Sequence, residues 1–160
     1  MESLAGFAEA LQASSFGVWA GQSSIAYPVA NVAHLLGLVM LVGGIGVVDL
    51  RLAGAFPSLP PAALSRALTP VAIGGLLLML PSGFTMFAAD AEALAASDTF
   101  FRKLVLIALA LANAVAFRWL WGRRIADWHI APPLAGRLMA AVSLLLWLTV
   151  GTLGRLIAYT

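Results

Sequence analysis

Four long apolar segments, at about residues 27–50, 67–88, 100–120 and 134–157, constrain this chain more than any other feature. Each matches the ~20 residues that an α-helix needs to cross a hydrocarbon core. A backbone in lipid must satisfy its own polar groups, so helices are the only simple way to thread such segments through a bilayer. Charge supports the same reading. Only 10% of the 160 residues are charged and 62% are hydrophobic, with a mean hydropathy of +0.98. Soluble domains carry roughly 25% charged residues, so this chain is too poor in charge to cover a water-facing surface. The expected fold is all-α: a four-helix transmembrane bundle of up-down topology, forming one integral membrane domain over residues 1–160.

The breaks between segments carry turn chemistry. "AGAFPSLPPAALSR" has three prolines, "AADAEALAASD" is small and acidic, and "GRRIADWHIAPP" is basic and ends in two prolines. Pro70 and Pro81 fall in or near the second span and predict kinks, which membrane helices tolerate. Residues 1–24 form an interfacial segment. In it Leu4, Phe7 and Leu11 share one face of a short amphipathic helix over residues 3–17, set at the membrane surface or left as a frayed extension.

Basic residues set the expected orientation. The first and third loops and their flanks hold Arg51, Arg66, Arg118, Arg123, Arg124 and Arg137, against Arg102, Lys103 and Arg155 on the other side. That bias places those loops in the cytoplasm and both termini outside. The N-terminus has Glu2 and Glu9 and lacks the positive start of a signal peptide, so no cleavage is expected. A bacterial inner membrane is the expected location. The sequence pI near 9.7 is then a topology signal, and nucleic acid is not an expected partner. Trp119, Trp121 and Trp128 near one boundary, and Trp19, Tyr27 and Tyr159 near the other, fit aromatic belts.

Ionisable groups within spans cost about 2.5–3.5 kcal/mol on insertion scales, so each calls for a partner or a purpose. Towards the cytoplasmic side, Asp49 is the acid at membrane depth. The expected arrangement is an Asp49-centred structural ion-pair network with one or both of Arg66 and Arg137, with Arg51 snorkelling outward and Asn113 nearby; a structural clamp is favoured over a functional ion site. Arg137 and Arg155 share one stripe of the fourth helix, and Lys103 with Arg155 would make an outer polar seam. His34 lies near the outer edge of the first span, between Met79 and Met86 in depth. A His on one helix and a Met on its neighbour can ligate haem iron or copper. The other reading of His34 is a hydrogen-bonded packing residue. The only other histidine is His129, in the inner loop, so one chain lacks a bis-His haem site; a homodimer would be needed.

Other chemistries fail by absence. The chain has no cysteine, no HExxH and no P-loop. "GGIGVVD" is half a dinucleotide fingerprint, placed mid-span with no strand before it. Its glycines, with Gly37, suit close helix packing instead. Ser82 and Ser143 have no clear general base, since His34 is their only candidate partner within the membrane.

The stretches "AHLLGLVMLVGGIGVVDLRLAG", "PSGFTMFAAD", "FFRKLVLIALALANAVAFRW" and "SLLLWLTVGTLGRLIAY" resemble an uncharacterised bacterial family of four-helix integral membrane proteins, a domain of unknown function. The resemblance runs from about Tyr27 onward. It implies the fold and an inner-membrane location, and no activity. Members carry a histidine after the third-helix asparagine; Arg118 stands in that neighbourhood here, which leaves a second ligand without a residue. The architecture is also loosely similar to copper-resistance membrane proteins. Three functions follow as expectations: a non-catalytic membrane subunit or binding module, a haem- or copper-handling protein using His34 with Met79 or Met86, and a small-solute transporter.

Overall fold

The computed structural model describes residues 2–122, 124–125, 128 and 133–159. Its regular structure among these residues is helical: α1 Glu2–Gln12, α2 Ser15–Gln22, α3 Ala26–Ala53, α4 Pro61–Ala89, α5 Ala91–Ala96, α6 Asp98–Trp121 and α7 Leu134–Leu156, with a closing 3-10 turn at Ile157–Tyr159. Four of them, α3, α4, α6 and α7, are long and apolar enough to cross a membrane. The all-α four-helix bundle expected from the apolar segments is therefore the fold, and it fits a multi-pass membrane protein.

Local chemistry explains the helix ends. Ser23 Oγ accepts hydrogen bonds from the amides of Ile25 and Ala26 (3.2 and 3.1 Å) at the start of α3. The helix stops at Gly54, whose φ of 120° is open to glycine and costly for other residues. There the Ala55 amide reaches back to the Leu50 carbonyl (2.9 Å), the long-range bond of a Schellman cap. The helix α4 begins at Pro61, earlier than the apolar run at 67. Proline at the first helical position lacks an N–H that would have had no partner there. Part of the three-proline stretch thus starts a helix. The same helix then runs through Pro70 and Pro81.

Two expected loops or single helices are more structured than the sequence suggested. The acidic stretch after α4 contains α5, and Ser97 Oγ caps α6 by accepting from the Phe100 amide (3.3 Å). The N-terminal segment is two helices, not one. Ser14 divides them: its hydroxyl donates to the Leu11 carbonyl (2.5 Å) and accepts from the Gly17 amide (3.1 Å), capping α2. α1 packs on α5 and α2 packs on α4, and Gln12 Oε1 accepts from the Glu92 amide (3.0 Å). These three short helices cap one end of the bundle. Ala8 and Ala20 are buried there, while Leu4 and Phe7 stay exposed, which leaves the apolar face of α1 free to lie in an interface.

α3 is the central helix. It packs along α4 on one side and α7 on the other, and α6 packs on α7. Close approach of α3 and α4 depends on small residues: a Cβ on Gly37 would come 2.7 Å from the Gly75 carbonyl, and one on Gly44 would come 3.0 Å from the Leu68 carbonyl. Leu41, Ala72, Ala110, Trp147 and Val150 form one buried cluster; Val48, Leu52, Trp128 and Ala140 form another. Trp128 is therefore core rather than belt. It meets the rings of Phe117 (6.0 Å) and Trp121 (5.5 Å) and sits over Gly136. Trp119, 86% exposed, keeps the position expected of a belt residue. α4 and α6 are the edges of the arrangement and make no extended contact with each other. The bundle is open along that side.

Candidate functional site

The structure sorts the polar residues into two clusters on α3. His34 and Asp49 are fifteen residues apart, about 22 Å by helical rise, so they serve separate places.

The cluster near the capped end begins with His34. Its Nδ1 lies 3.2 Å from Ser82 Oγ. Ser82 donates its hydroxyl proton to the Leu78 carbonyl (2.7 Å), with the Met79 carbonyl 3.3 Å away. A hydroxyl has one proton, so the arrangement needs an Nδ1–H tautomer of His34 donating to the serine oxygen. That direction is opposite to the one a general base would need for Ser82. The imidazole edge packs on Gly83, where a Cβ would come 3.0 Å from Cε1. Met79 turns instead to Gly37, whose Cβ position is 2.7 Å from Met79 Cγ, and Met86 is half-buried further along α4. Lys103 lies against Gly154 of α7, its Nζ 3.5 Å from a Cβ there. Arg155 turns outward, donating to the Tyr159 hydroxyl (2.7 Å) with its guanidinium 5.1 Å from that ring. The expected outer seam of Lys103 and Arg155 is thus split: one leans into the bundle and the other folds over its own helix end.

At the opposite end, the residues expected to gather round Asp49 bond elsewhere. Arg51 is buried, 3% exposed, and donates from Nε to the Leu59 carbonyl (2.6 Å) and from Nη2 to the Pro57 carbonyl (3.2 Å). It ties the α3–α4 turn to α3 rather than snorkelling outward. Arg137 donates from Nε to the Ala53 carbonyl (3.1 Å). Asn113 donates to the Met139 carbonyl (3.1 Å), joining α6 to α7. Arg66 is exposed on α4. Backbone carbonyls left free at helix ends and in the turn compete for guanidinium donors, and here they take them. His129, with Arg123 and Asp127 of the charge pattern, lies outside the described residues.

Asp49 itself is 5% exposed. Ser143 of α7 is the side chain set to hydrogen-bond it, but its Oδ2 is buried with no partner among the described residues. It lines a cavity of about 430 Å³ to which all four long helices contribute residues. Leu41, Ile45, Val48 and Trp147 make apolar walls, and Ser65, Thr69, Asn113, Arg118 and Ser143 contribute polar edges. A cavity of roughly 300–1,000 Å³ with few polar groups on apolar walls is the usual form of a small-molecule site. Sequence reading found Asp49, Asn113 and Arg118, but missed Ser65, Thr69 and Trp147 as its neighbours. No periodic signal marks them, because they converge only when four helices meet.

Among the described residues no group of three or more His, Cys, Asp or Glu side chains is placed to hold a metal ion. Compared with family models, curated proteins and solved structures, the chain finds no match in any of the three.

Proposed function

We propose that the chain is a non-catalytic integral membrane protein of the bacterial inner membrane, a binding module whose ligand enters the cavity at Asp49. One observation carries this reading: the unpartnered Oδ2 of a nearly fully buried carboxyl on the cavity wall. A buried carboxyl oxygen without a hydrogen-bond partner costs about 1–3 kcal/mol. A ligand with an ammonium or N–H donor relieves that cost, and its apolar body suits the Ile45, Val48 and Trp147 walls. The ligand class is therefore a small cationic amphiphile. Among the described residues Asp49 is joined by hydroxyl, amide and guanidinium groups on apolar walls, a set that favours binding over catalysis. Four helices without an internal repeat suit a binding module better than a transporter. The contacts of His34 with Ser82 and Gly83 favour its packing role over the haem or copper reading.

Naphthylmethylammonium, with methylnaphthalene and naphthoate as neutral and anionic comparisons, tests this in mild detergent. Quenching of tryptophan fluorescence reads binding, and a Trp147→Phe variant assigns the signal to the cavity. The cation binds most tightly of the three. Asp49→Asn weakens it about tenfold or more, the scale of one hydrogen bond to a charged group. Equal binding of all three probes, or an Asp49→Asn variant indistinguishable from wild type, overturns the proposal.

A further inference from the structure

The open side of the bundle holds a second feature. Between α4 and α6 runs a cleft of about 1320 Å³, about three times the volume of the central cavity. It exceeds the ~300–1,000 Å³ of a typical small-molecule pocket. Its shape is amphipathic along the membrane normal. At the end of the bundle near the α3–α4 turn it is lined by Arg66 of α4, Arg118 in the last turn of α6, and Arg124 just beyond. Towards the membrane centre it is lined by Ile73 and Leu77. Among the described residues no acid lines it.

We infer that this cleft is a binding site for one anionic phospholipid. Three arginines line one end of this cleft, and a phosphate among them relieves their mutual repulsion. Guanidinium groups meet phosphate oxygens in a fork geometry that also fixes orientation. Basic pockets between membrane helices are a known form of headgroup site. A lipid, rather than free phosphate, is the occupant because the cleft continues from the arginines into bilayer depth and is apolar there. Trp119 also lines it and is 86% exposed. An exposed indole at a helix end marks headgroup level, which puts the arginines at the height of lipid phosphates.

The cleft and the central cavity share Ser65, Thr69, Ile73, Arg118, Gly122 and Ile125. A lipid whose chains lie between α4 and α6 therefore closes that cavity on its lateral side. This inference does not need the Asp49 proposal: Arg118 borders both spaces, but the ligand here is an anion held by arginines and not a cation held by Asp49.

The test uses the full chain in neutral detergent and native mass spectrometry. Dioleoylphosphatidylglycerol is titrated against dioleoylphosphatidylcholine, which has the same chains and a zwitterionic head. Wild type retains one phosphatidylglycerol at least tenfold more tightly than phosphatidylcholine. Arg66→Gln, Arg118→Gln and Arg124→Gln each lower that preference about fivefold, the effect of one basic residue near an anionic headgroup. Arg102→Gln, at the far end of α6, and Asp49→Asn leave it unchanged. Arg118→Lys keeps charge without the fork and gives an intermediate preference, and serves if a neutral variant fails to fold. Equal retention of both lipids overturns the inference, as does an equal loss in Arg102→Gln. Displacement of the lipid by millimolar inorganic phosphate also overturns it, because the site would then read a soluble anion.

Discussion

At the scale of single residues, the glycines of α3 show how little of a side chain's role is visible before packing. Gly37, Gly43, Gly44 and Gly46 all look suited to helix contacts in the sequence. Gly37 and Gly44 face the backbone of α4, Gly46 faces Leu144 of α7 at 3.6 Å, and Gly43 meets nothing within 4 Å. On α4, a Cβ on Gly75 would lie 2.5 Å from the Gly37 carbonyl and 2.7 Å from the Leu41 amide nitrogen. Both obstacles are backbone, so only separation of the helices makes room. Gly75→Ala should destabilise the bundle by about 1–3 kcal/mol, the usual cost of overpacking. Gly43→Ala should leave stability unchanged or raise it slightly, since alanine is the better helix former. Thermal unfolding of both variants in one detergent checks the contrast, and equal shifts would contradict it.

The element scale is governed by the turn between α3 and α4. Gly54 ends one helix, Pro61 begins the next, and Phe56 is a non-glycine residue with φ of 50°. Such a backbone persists where its surroundings hold it. Arg51 does so by bonding the Leu59 and Pro57 carbonyls, and Arg137 bonds the Ala53 carbonyl from α7. Arg51→Ala removes the charged donor from two carbonyls. The expected loss is about 2 kcal/mol or more, with faster protease cleavage within residues 54–60. A variant as stable and as protease-resistant as wild type would show that the guanidinium is dispensable. Arginine in an Asp-Leu-Arg triplet invites pairing with its neighbouring acid, yet this one closes a loop six to eight residues ahead. Local spacing could not show that, because the chain reverses between the partners.

For the whole molecule, the open edge between α4 and α6 matters most. Only 6% of the residues in the most apolar stretch of α6 are buried, against 44% for α3. α6 therefore presents most of its surface to lipid, and the chain leaves a lateral entrance to its cavity. Orientation is argued at this scale too. The arginine-rich end near the α3–α4 turn should face the cytoplasm. The chain has no cysteine, so single cysteines report cleanly. Ser58→Cys, in the turn, should react with a membrane-impermeant maleimide only after the cells are broken, and Ala93→Cys, in α5, should react in intact spheroplasts. The reverse pattern would invert the orientation and place the arginine cleft in the outer leaflet.

The number, type and approximate position of the four long helices are set by the sequence alone, because hydrocarbon admits few ways to satisfy a backbone and long apolar runs are a global property of the chain. The serine, glycine and proline punctuation at Ser23, Gly54, Pro61 and Ser97 is likewise local chemistry. The N-terminal pair α1 and α2 was less legible, because a single Ser14 side chain divides an otherwise helical stretch. Which polar residues meet was decided only by tertiary structure. Asp49 was readable as a buried acid, but its partner depended on how α7 lies across α3. Arg51 and Arg137 bond backbone carbonyl oxygens instead. The cavity and the arginine cleft belong to no single helix: they exist because α3 and α7 pack in the middle and leave α4 and α6 apart.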